Sequence, residues 1–231
     1  MTESVKFKWS ESMNRAFKQL NIEKKKRILN AAFEEFTEKG YEYASTLVIA
    51  KEAGIAKGTL FNYFGTKNKL FNYLVEYAFT IIKKEYFDQI DYEETDFFTR
   101  MYKAGQLKWK VYVMYGELMN FVAHLFVHQE KYVLPESLQK TRAALMEEFW
   151  TSVFTKNIDF TKFRSDIPID TILNFIRWTM EGYNAELEQS FKSENLAELD
   201  KKRLEPYYEE AYEYFSLLRK IYYKEEYIGG E

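Results

Sequence analysis

The sequence predicts an all-α protein, and three observations support this fold class. Apolar residues recur at steps of three and four along most of the 231 residues, and no run alternates apolar and polar residues as a half-buried strand does. The three prolines, at 135, 168 and 206, lie near the starts of predicted helices, where proline is tolerated. With 46% apolar residues, the chain is long enough to bury a large core.

Start and stop signals divide the N-terminal third into helices. Asn21 and either Ser45 or Thr46 are predicted N-caps, and Gly40 and Gly54 are predicted stops. The predicted helices span residues 21 to 40, 45 to 53, 57 to 64 and 66 to 88, and residues 11 to 20 could form a further short one.

The rest of the chain is predicted to be helical over residues 95 to 108, 111 to 129, 136 to 157, 169 to 192 and 205 to 226. One stretch, 111 to 127, approaches the length of a membrane span. It carries Glu117, Asn120 and His124 through its middle, and such residues are expensive in hydrocarbon. We therefore expect a buried helix here and no membrane contact.

Charge is distributed unevenly along the chain. The first 70 residues hold 13 Lys and Arg against 8 Asp and Glu, whereas the remainder holds 20 against 28, for a net charge of −3. Such asymmetry points to an anionic partner for the basic part. The absence of cysteine excludes disulfide and thiolate chemistry, and residues 1 to 17 lack the apolar core of a signal peptide. A cytoplasmic location is expected.

The second and third predicted helices have the spacing of a helix-turn-helix, with a sharp turn at residues 54 to 56. Leu60 and Phe64, four residues apart, are predicted to face inward. The outer face then presents Lys57, Thr59, Asn62 and Tyr63, the polar groups that a recognition helix needs in a major groove.

Lysines stand at helix starts in this region, at Lys57, Lys67 and Lys69 and in the run 24 to 27. The N-terminus of a helix carries partial positive charge, so isolated helices prefer acidic residues there. A phosphate bound at the helix start would reverse this preference, because lysine and backbone N–H groups then act together on the anion. Exposed lysines screened by salt are the alternative explanation.

Residues 25 to 71, with the runs AAFEEFTEKGY, IAKEAGIAKGTLFNYF and TKNKLF, resemble the DNA-binding domain of the TetR family of bacterial transcriptional regulators. The resemblance implies a homodimer, usually a repressor, whose C-terminal domain binds a small ligand and releases DNA. Phe61 stands where tyrosine is frequent and lacks a hydroxyl that could reach phosphate. By position, the resemblance maps phosphate and base contacts onto Thr46, Lys57, Gly58, Thr59, Phe61, Asn62, Tyr63 and Lys67.

The expected organisation is an N-terminal extension over 1 to 20, the helix-turn-helix domain over 21 to 66, and a helical effector-binding and dimerisation domain over 67 to 231. Aromatic residues make up 19% of the chain, and ligand sites in helical bundles are mostly apolar. We therefore expect a hydrophobic small-molecule effector among the four helices predicted between 95 and 192. The candidate lining residues are Trp109, Glu117, Asn120, Phe121, His124, Trp150, Arg177, Trp178 and Asn184.

The last two predicted helices are apolar over a wide arc and must be covered on two sides. The family resemblance places them in a four-helix interface between two copies, whereas the alternative is that the chain's own core covers both sides. The candidate interface residues are Ile176, Tyr183, Phe215, Leu218 and Tyr222.

Enzymatic chemistry finds little support in the sequence. Gly-rich phosphate loops and nucleophile motifs are missing, and the two histidines, His124 and His128, share a helix face without an identifiable third metal ligand. Glu34, Glu35 and Glu38 are interpreted as part of a solvated face. We expect no catalytic activity and no cofactor. The alternatives are a constitutive DNA-binding protein without effector and, more remotely, a helical enzyme.

Overall fold

The computed structural model describes residues 15–127, 136, 139–140, 143–144, 147, 149–191 and 201–228. Over these residues the protein is all-α, as predicted, and its β structure is limited to a single bridge between Phe163 and Tyr223. The α-helices are α1 (Arg15–Lys18), α2 (Ile22–Tyr43), α3 (Thr46–Glu52), α4 (Lys57–Phe64), α5 (Lys67–Glu85), α6 (Phe97–Met114), α7 (Gly116–Val127), α8 (Ile169–Phe191) and α9 (Lys201–Tyr222).

The chain divides into two compact units. The N-terminal unit comprises Met1–Glu85 and Tyr115–Leu145, and therefore contains α1 to α5 and α7. The C-terminal unit comprises Tyr86–Met114 and Met146–Glu231, with α6, α8 and α9. Helix α7 thus packs with the helices of the predicted DNA-binding domain. The functional division at residue 66 stays a prediction.

The predicted helix signals in the N-terminal unit are confirmed except at Gly40, where α2 is kinked but continues to Tyr43. The side chain of Asn21 accepts the N–H of Lys24 at 2.8 Å, and Ser45 rather than Thr46 caps α3. Gly40 interrupts α2 with a φ of 67°, and Gly54 follows α3 with a φ of 66°. Only glycine adopts this left-handed region without strain, so both positions require it.

The predicted break between residues 108 and 111 is wrong. Helix α6 continues to Met114, and the chain bends at Tyr115 before α7 begins. The reason is that Val111 continues the buried stripe of α6 that runs through Phe97, Met101 and Ala104. The apolar stretch 111 to 127 is thus split between two helices, and no helix over the described residues is long and apolar enough to cross a membrane. Most of the helix predicted at 136 to 157 lies outside the described residues.

Aromatic rings form the core of the N-terminal unit. Phe121 of α7 is fully buried, with its ring centroid 5.2 Å from that of Phe33 in α2 and 5.8 Å from that of Phe71 in α5. Phe36 of α2 adds a contact to Phe71 at 5.1 Å. Aromatic side chains of this size dominate core energetics, so these rings fix α7 against α2 and α5.

The core of the C-terminal unit is a second aromatic cluster. Tyr223 packs its ring 5.0 Å from Phe98 and 4.8 Å from Phe163, and Phe97 lies 5.8 Å from Phe154. The hydroxyl of Tyr223 also accepts the N–H of Phe97 at 3.1 Å, which satisfies a donor at the start of α6. The residues after α9 are thereby fixed to the start of α6.

Two buried charged groups hold the loops around α6. Arg100 is 1% exposed and donates to the carbonyls of Tyr92, Glu94 and Lys156. Asp96 accepts from Lys162 at 3.1 Å and from Arg219 at 2.5 Å. Burial alone would raise the pKa of Asp96, but its hydrogen bonds and the charge of Arg219 hold the pKa below its ordinary value.

The short helix α1 contributes a ring to the core beneath α4. Phe17 is buried, and its ring centroid lies 5.6 Å from that of Tyr63, 4.8 Å from that of Phe64 and 5.9 Å from that of Tyr73. The predicted domain bounds place this residue in an extension outside the domain. The structure makes it part of the support on which α4 rests.

We expect Phe17→Ala to lower the free energy of unfolding by about 3 kcal/mol, because it leaves a cavity among buried rings. Urea denaturation monitored by circular dichroism measures this change. Tyr43→Ala is the matched control, since that ring is 85% exposed and its loss should change stability by less than about 0.5 kcal/mol. Equal stability of the two variants would contradict a structural role for α1.

Candidate nucleic-acid interface

Helices α3 and α4 form the predicted helix-turn-helix. The turn is closed by the N–H of Ile55, which donates to the carbonyl of Ala50 at 2.9 Å. Ala53 is fully buried, so a small apolar side chain fills the space at the turn as expected. Gly54 supplies the left-handed backbone that the sharp reversal needs.

The start of α4 differs from the starts of its neighbours. Asn21, Ser45 and Thr66 each accept a backbone N–H at the start of α2, α3 and α5. The residue before α4 is Ala56, which provides no side-chain cap. Lys57 is exposed beside this end. An uncapped helix N-terminus next to a cation is a suitable binding site for a phosphate group.

The structure separates the predicted outward and inward residues of α4. Leu60 and Phe64 are buried, as predicted. Tyr63 was predicted on the outer face, and this orientation is wrong, because only 8% of the residue is exposed and its ring packs on Phe17. The other predicted DNA contacts retain access to solvent. Lys57, Gly58, Phe61 and Asn62 are exposed, and Thr46, Thr59 and Lys67 are half-buried.

Two of the lysines lie against aromatic rings. The ammonium of Lys67 donates to the carbonyl of Glu42 at 3.0 Å and lies 5.1 Å from the ring centroid of Tyr41. The ammonium of Lys57 lies 5.7 Å from the ring centroid of Phe61, one turn along α4. Lys67 therefore fastens the start of α5 to the segment after Gly40, whereas Lys57 lies on the exposed face.

Gly58 in the first turn of α4 has no structural requirement for glycine. Its φ lies outside the left-handed region, and a Cβ atom built there would meet no atom of the protein within 4 Å. Glycine in a helix is less stable than alanine by about 0.5 to 1 kcal/mol. The fold alone would therefore favour a larger residue at this position.

This segment also matches a known family. Residues 28–74 match the model for bacterial regulatory proteins of the tetR family. The helix-turn-helix segment is of the TetR-family type.

Individual TetR-family proteins are similar to the chain to different extents. The transcriptional regulator YhgD of Bacillus subtilis (strain 168) is 38% identical over 66 residues, 29% of this chain and 32% of YhgD. The chain thus matches about a third of the length of that relative. The transcriptional repressor AcnR of Corynebacterium efficiens is 24% identical over 186 residues, 77% of this chain and 89% of AcnR.

A solved structure extends the likeness to the fold of nearly the whole chain. A TetR family transcriptional regulator from Chloroflexus aurantiacus J-10-fl superimposes with a TM-score of 0.65 at 19% identity. The superposition covers 92% of this chain and 99% of that one. At this identity the likeness shows the TetR fold and nothing about the ligand.

Glu35 is a structural residue that sequence analysis placed on a solvated face. It is buried, and its carboxylate accepts the N–H of Ser45 at 2.7 Å. A buried charge-assisted hydrogen bond of this kind is stronger than a neutral one. Glu35 thus fixes the N-cap residue of α3 relative to α2. The sequence carried a weak signal, since Glu35 lies four residues after Ala31 and next to the buried stripe of α2.

Glu34 and Glu38, the other two residues of that predicted face, are exposed as predicted. Glu117 of α7 is half-buried and lies near Glu34 and Glu38 of α2. Burial raises the pKa of Glu117 above its ordinary value, and the two neighbouring carboxylates raise it further. A predicted ligand residue therefore carries unfavourable electrostatics at the packing surface between α7 and α2.

The predicted ligand residues fall into different environments. Phe121 belongs to the core described above, and Trp178, expected inside a pocket, is instead 55% exposed. Trp109 lies 5.6 Å from Tyr112, and Arg177 donates to Asn174 at 3.1 Å. Asn120 and His124 are half-buried on α7. The side chains of Trp150 and Asn184, and His128 as a whole, lie outside the described part, so the effector site stays a prediction.

Two of the predicted dimer residues belong to the chain's own core. Ile176 is fully buried and Leu218 is 8% exposed, so neither forms an outward seam. The reason is that α9 packs its Leu218 side against the rest of the C-terminal unit. Tyr183 donates to Glu210 at 3.1 Å within the same chain, and Phe215 and Tyr222 are half-buried. Among the described side chains of α8 and α9, the exposed large apolar residues are Phe175, Trp178, Tyr212, Tyr214, Leu217 and Ile221.

We expect Glu117→Gln to raise the free energy of unfolding at neutral pH. The raised pKa means that the folded protein binds this proton more tightly than the unfolded chain, so stability falls as pH rises through the folded-state pKa. Urea denaturation at several pH values measures the effect. The advantage of the variant should vanish below the ordinary glutamate pKa of about 4.3.

The matched control for this pH series is Glu42→Gln, which changes an exposed carboxylate of α2, the helix that packs against α7. A gain in stability that persists unchanged at acidic pH would contradict the electrostatic explanation for Glu117.

Proposed function

We propose that the protein is a transcriptional repressor that binds an inverted-repeat operator as a homodimer and releases it when a hydrophobic small molecule binds. The observation that carries the DNA-binding part is the exposed first turn of α4. This turn combines three features: a helix start without a side-chain cap, the exposed ammonium of Lys57, and a glycine at position 58. Such a protein acts in the cytoplasm.

The exposed residues of α4 suit distinct contacts with a duplex. Lys57 and the N–H groups at the helix start suit a phosphate, which fixes the position of the helix without reading sequence. Asn62 can form paired hydrogen bonds with adenine in the major groove. Phe61 is 38% exposed and has no hydroxyl, so its ring suits an apolar contact such as a thymine methyl group.

The exposed apolar residues of α8 and α9 support dimerisation through these two helices. Tyr214, Leu217 and Ile221 follow one another at steps of three and four and so form a stripe on one face of α9. Exposed apolar residues arranged contiguously mark interaction sites. A two-fold dimer would place two α4 helices about 34 to 36 Å apart on successive major grooves.

The effector part of the proposal rests on α7. Its buried side contacts the rings of α2 and α5, while Asn120 and His124 lie on another side of the same helix. A ligand that displaced α7 would therefore act directly on the core beneath the helix-turn-helix. Such coupling is reciprocal, so operator DNA must weaken effector binding by the same factor. The similarity to AcnR, a repressor, supports repression.

Gly58→Ala tests the DNA-binding proposal without disturbing the fold. We expect operator affinity to fall at least about tenfold, because the added methyl group meets nothing in the protein but would occupy the space needed for close approach of DNA. The free energy of unfolding should stay equal or rise by up to about 1 kcal/mol. Fluorescence anisotropy with promoter DNA measures the affinity.

Gly105→Ala is the control for this experiment, because Gly105 also lies within a helix and also has no atom near a built Cβ, but belongs to the C-terminal unit. It should leave operator affinity unchanged. Full affinity of Gly58→Ala would show that DNA does not approach α4 at this residue.

Leu217→Glu tests the dimer surface. This side chain is 53% exposed in the single chain, so the charge should leave the fold intact but prevent burial against a second copy. We expect monomers by sedimentation and a loss of operator affinity. Val113→Glu, at an exposed apolar residue of α6, is the control and should stay dimeric. A dimeric Leu217→Glu variant would exclude this stripe.

A further inference from the structure

We propose that the groove between α6 and α9 is a binding site for an amphipathic carboxylate, separate from the effector site and from the dimer surface. The groove has a volume of about 630 Å³, within the range of small-molecule sites. All of its lining residues belong to the C-terminal unit. They are Phe98, Thr99, Tyr102, Tyr212, Phe215, Ser216, Arg219, Lys220 and Ile228.

One part of the groove is apolar and aromatic. Tyr102 of α6 and Tyr212 of α9 meet edge to face with ring centroids 5.1 Å apart, and Phe98 and Phe215 add two further rings. Ile228 completes this surface from the segment after α9. Aromatic side chains offer a large rigid contact area, so this part suits an aryl or alkyl group.

The cationic part contains an arginine that the protein holds in place. Within the described residues, Arg219 forms its hydrogen bonds through Nη2, to Asp96 at 2.5 Å and to Thr99 at 2.9 Å. These bonds leave Nη1 and Nε as donors with a fixed position. An anchored guanidinium loses little freedom when it binds a carboxylate, which is the group that its planar shape matches.

The charges around the groove favour an anion. Asp96 is the carboxylate nearest Arg219 and is shared with Lys162, so this group of three carries one net positive charge. Lys220 lines the groove and is exposed. Within the described part of the chain, the lining residues include two cations and no carboxylate, so an anionic ligand would be favoured over a neutral one.

Dimerisation through the exposed stripe of α9 would leave the groove open. Arg219 follows Leu217 by two residues, and Tyr212 precedes Tyr214 by two. Two residues correspond to about 200° around an α-helix, so the groove and the stripe lie on opposite faces of α9. The occupant is therefore a small molecule and not the second copy of the chain.

Isothermal titration calorimetry of the full chain, without DNA, tests the site with 4-phenylbutyrate and its uncharged analogue 4-phenylbutan-1-ol. We expect one carboxylate to bind per chain, about tenfold more tightly than the alcohol, because charge-assisted hydrogen bonds are stronger than neutral ones. Lys220→Gln should weaken carboxylate binding several-fold and leave alcohol binding unchanged.

Two further variants locate the binding. Ser216→Trp should abolish binding of both compounds by filling the groove, with circular dichroism as the check on folding. Lys110→Gln removes an exposed lysine of α6 that does not line the groove, and it should bind as the unchanged protein does. Carboxylate binding that Lys220→Gln leaves intact would place the ligand elsewhere and overturn the proposal, as would no binding at millimolar concentration. Neither result would bear on operator binding, which is measured separately.

Discussion

The contact of Phe121 with Phe33 and Phe71 is the interaction on which the N-terminal unit depends. A fully buried phenylalanine of α7 lies between the long helix before the helix-turn-helix and the helix that follows it. Because a close-packed core cannot deform continuously, α7 and the DNA-binding helices must move together or repack together. The residues on the other sides of α7 are thus one packing layer away from the base of α4.

Buried charged groups fix the junctions between helices in both units. Glu35 holds the cap of α3, Arg100 holds three loop carbonyls, and Asp96 joins the start of α6 to Arg219 near the end of α9. In each case hydrogen bonds to the charged group offset the cost of removing it from water. Among the described residues, only the Nε of Arg100 in this set of charged groups has no hydrogen-bond partner. Glu117 differs, because burial opposes its ionisation and the like charges of Glu34 and Glu38 add to that effect. The surface between α2 and α7 is therefore the place where electrostatics oppose the observed packing.

The exposed surfaces of the C-terminal unit have two distinct characters. The stripe of Tyr214, Leu217 and Ile221 is apolar apart from the hydroxyl of Tyr214, as expected of a surface that a second protein chain covers. The groove on the opposite face of α9 combines aromatic rings with an anchored cation, as expected of a small-molecule site. We therefore propose that α9 carries a protein-binding face and a ligand-binding face on opposite sides.

The sequence by itself determined the local features of this protein. Asn21, Gly40 and Gly54 act within a few residues of themselves. The start of α2, its kink at Gly40, the bounds of α3 and the limits of α4 therefore followed from backbone hydrogen bonding and from the left-handed backbone that glycine allows. The tertiary structure alone decided which side of an apolar helix faces inward. Periodicity placed Leu217 and Leu218 on two apolar sides of the same helix. Only the packing of the tertiary structure decided that Leu218 is buried and Leu217 is exposed. The same holds for Tyr63 and Glu35, whose burial depends on Phe17 and Ser45 from other segments. The hydrophobic effect is non-directional, so a sequence specifies which residues leave water but not which neighbours cover them.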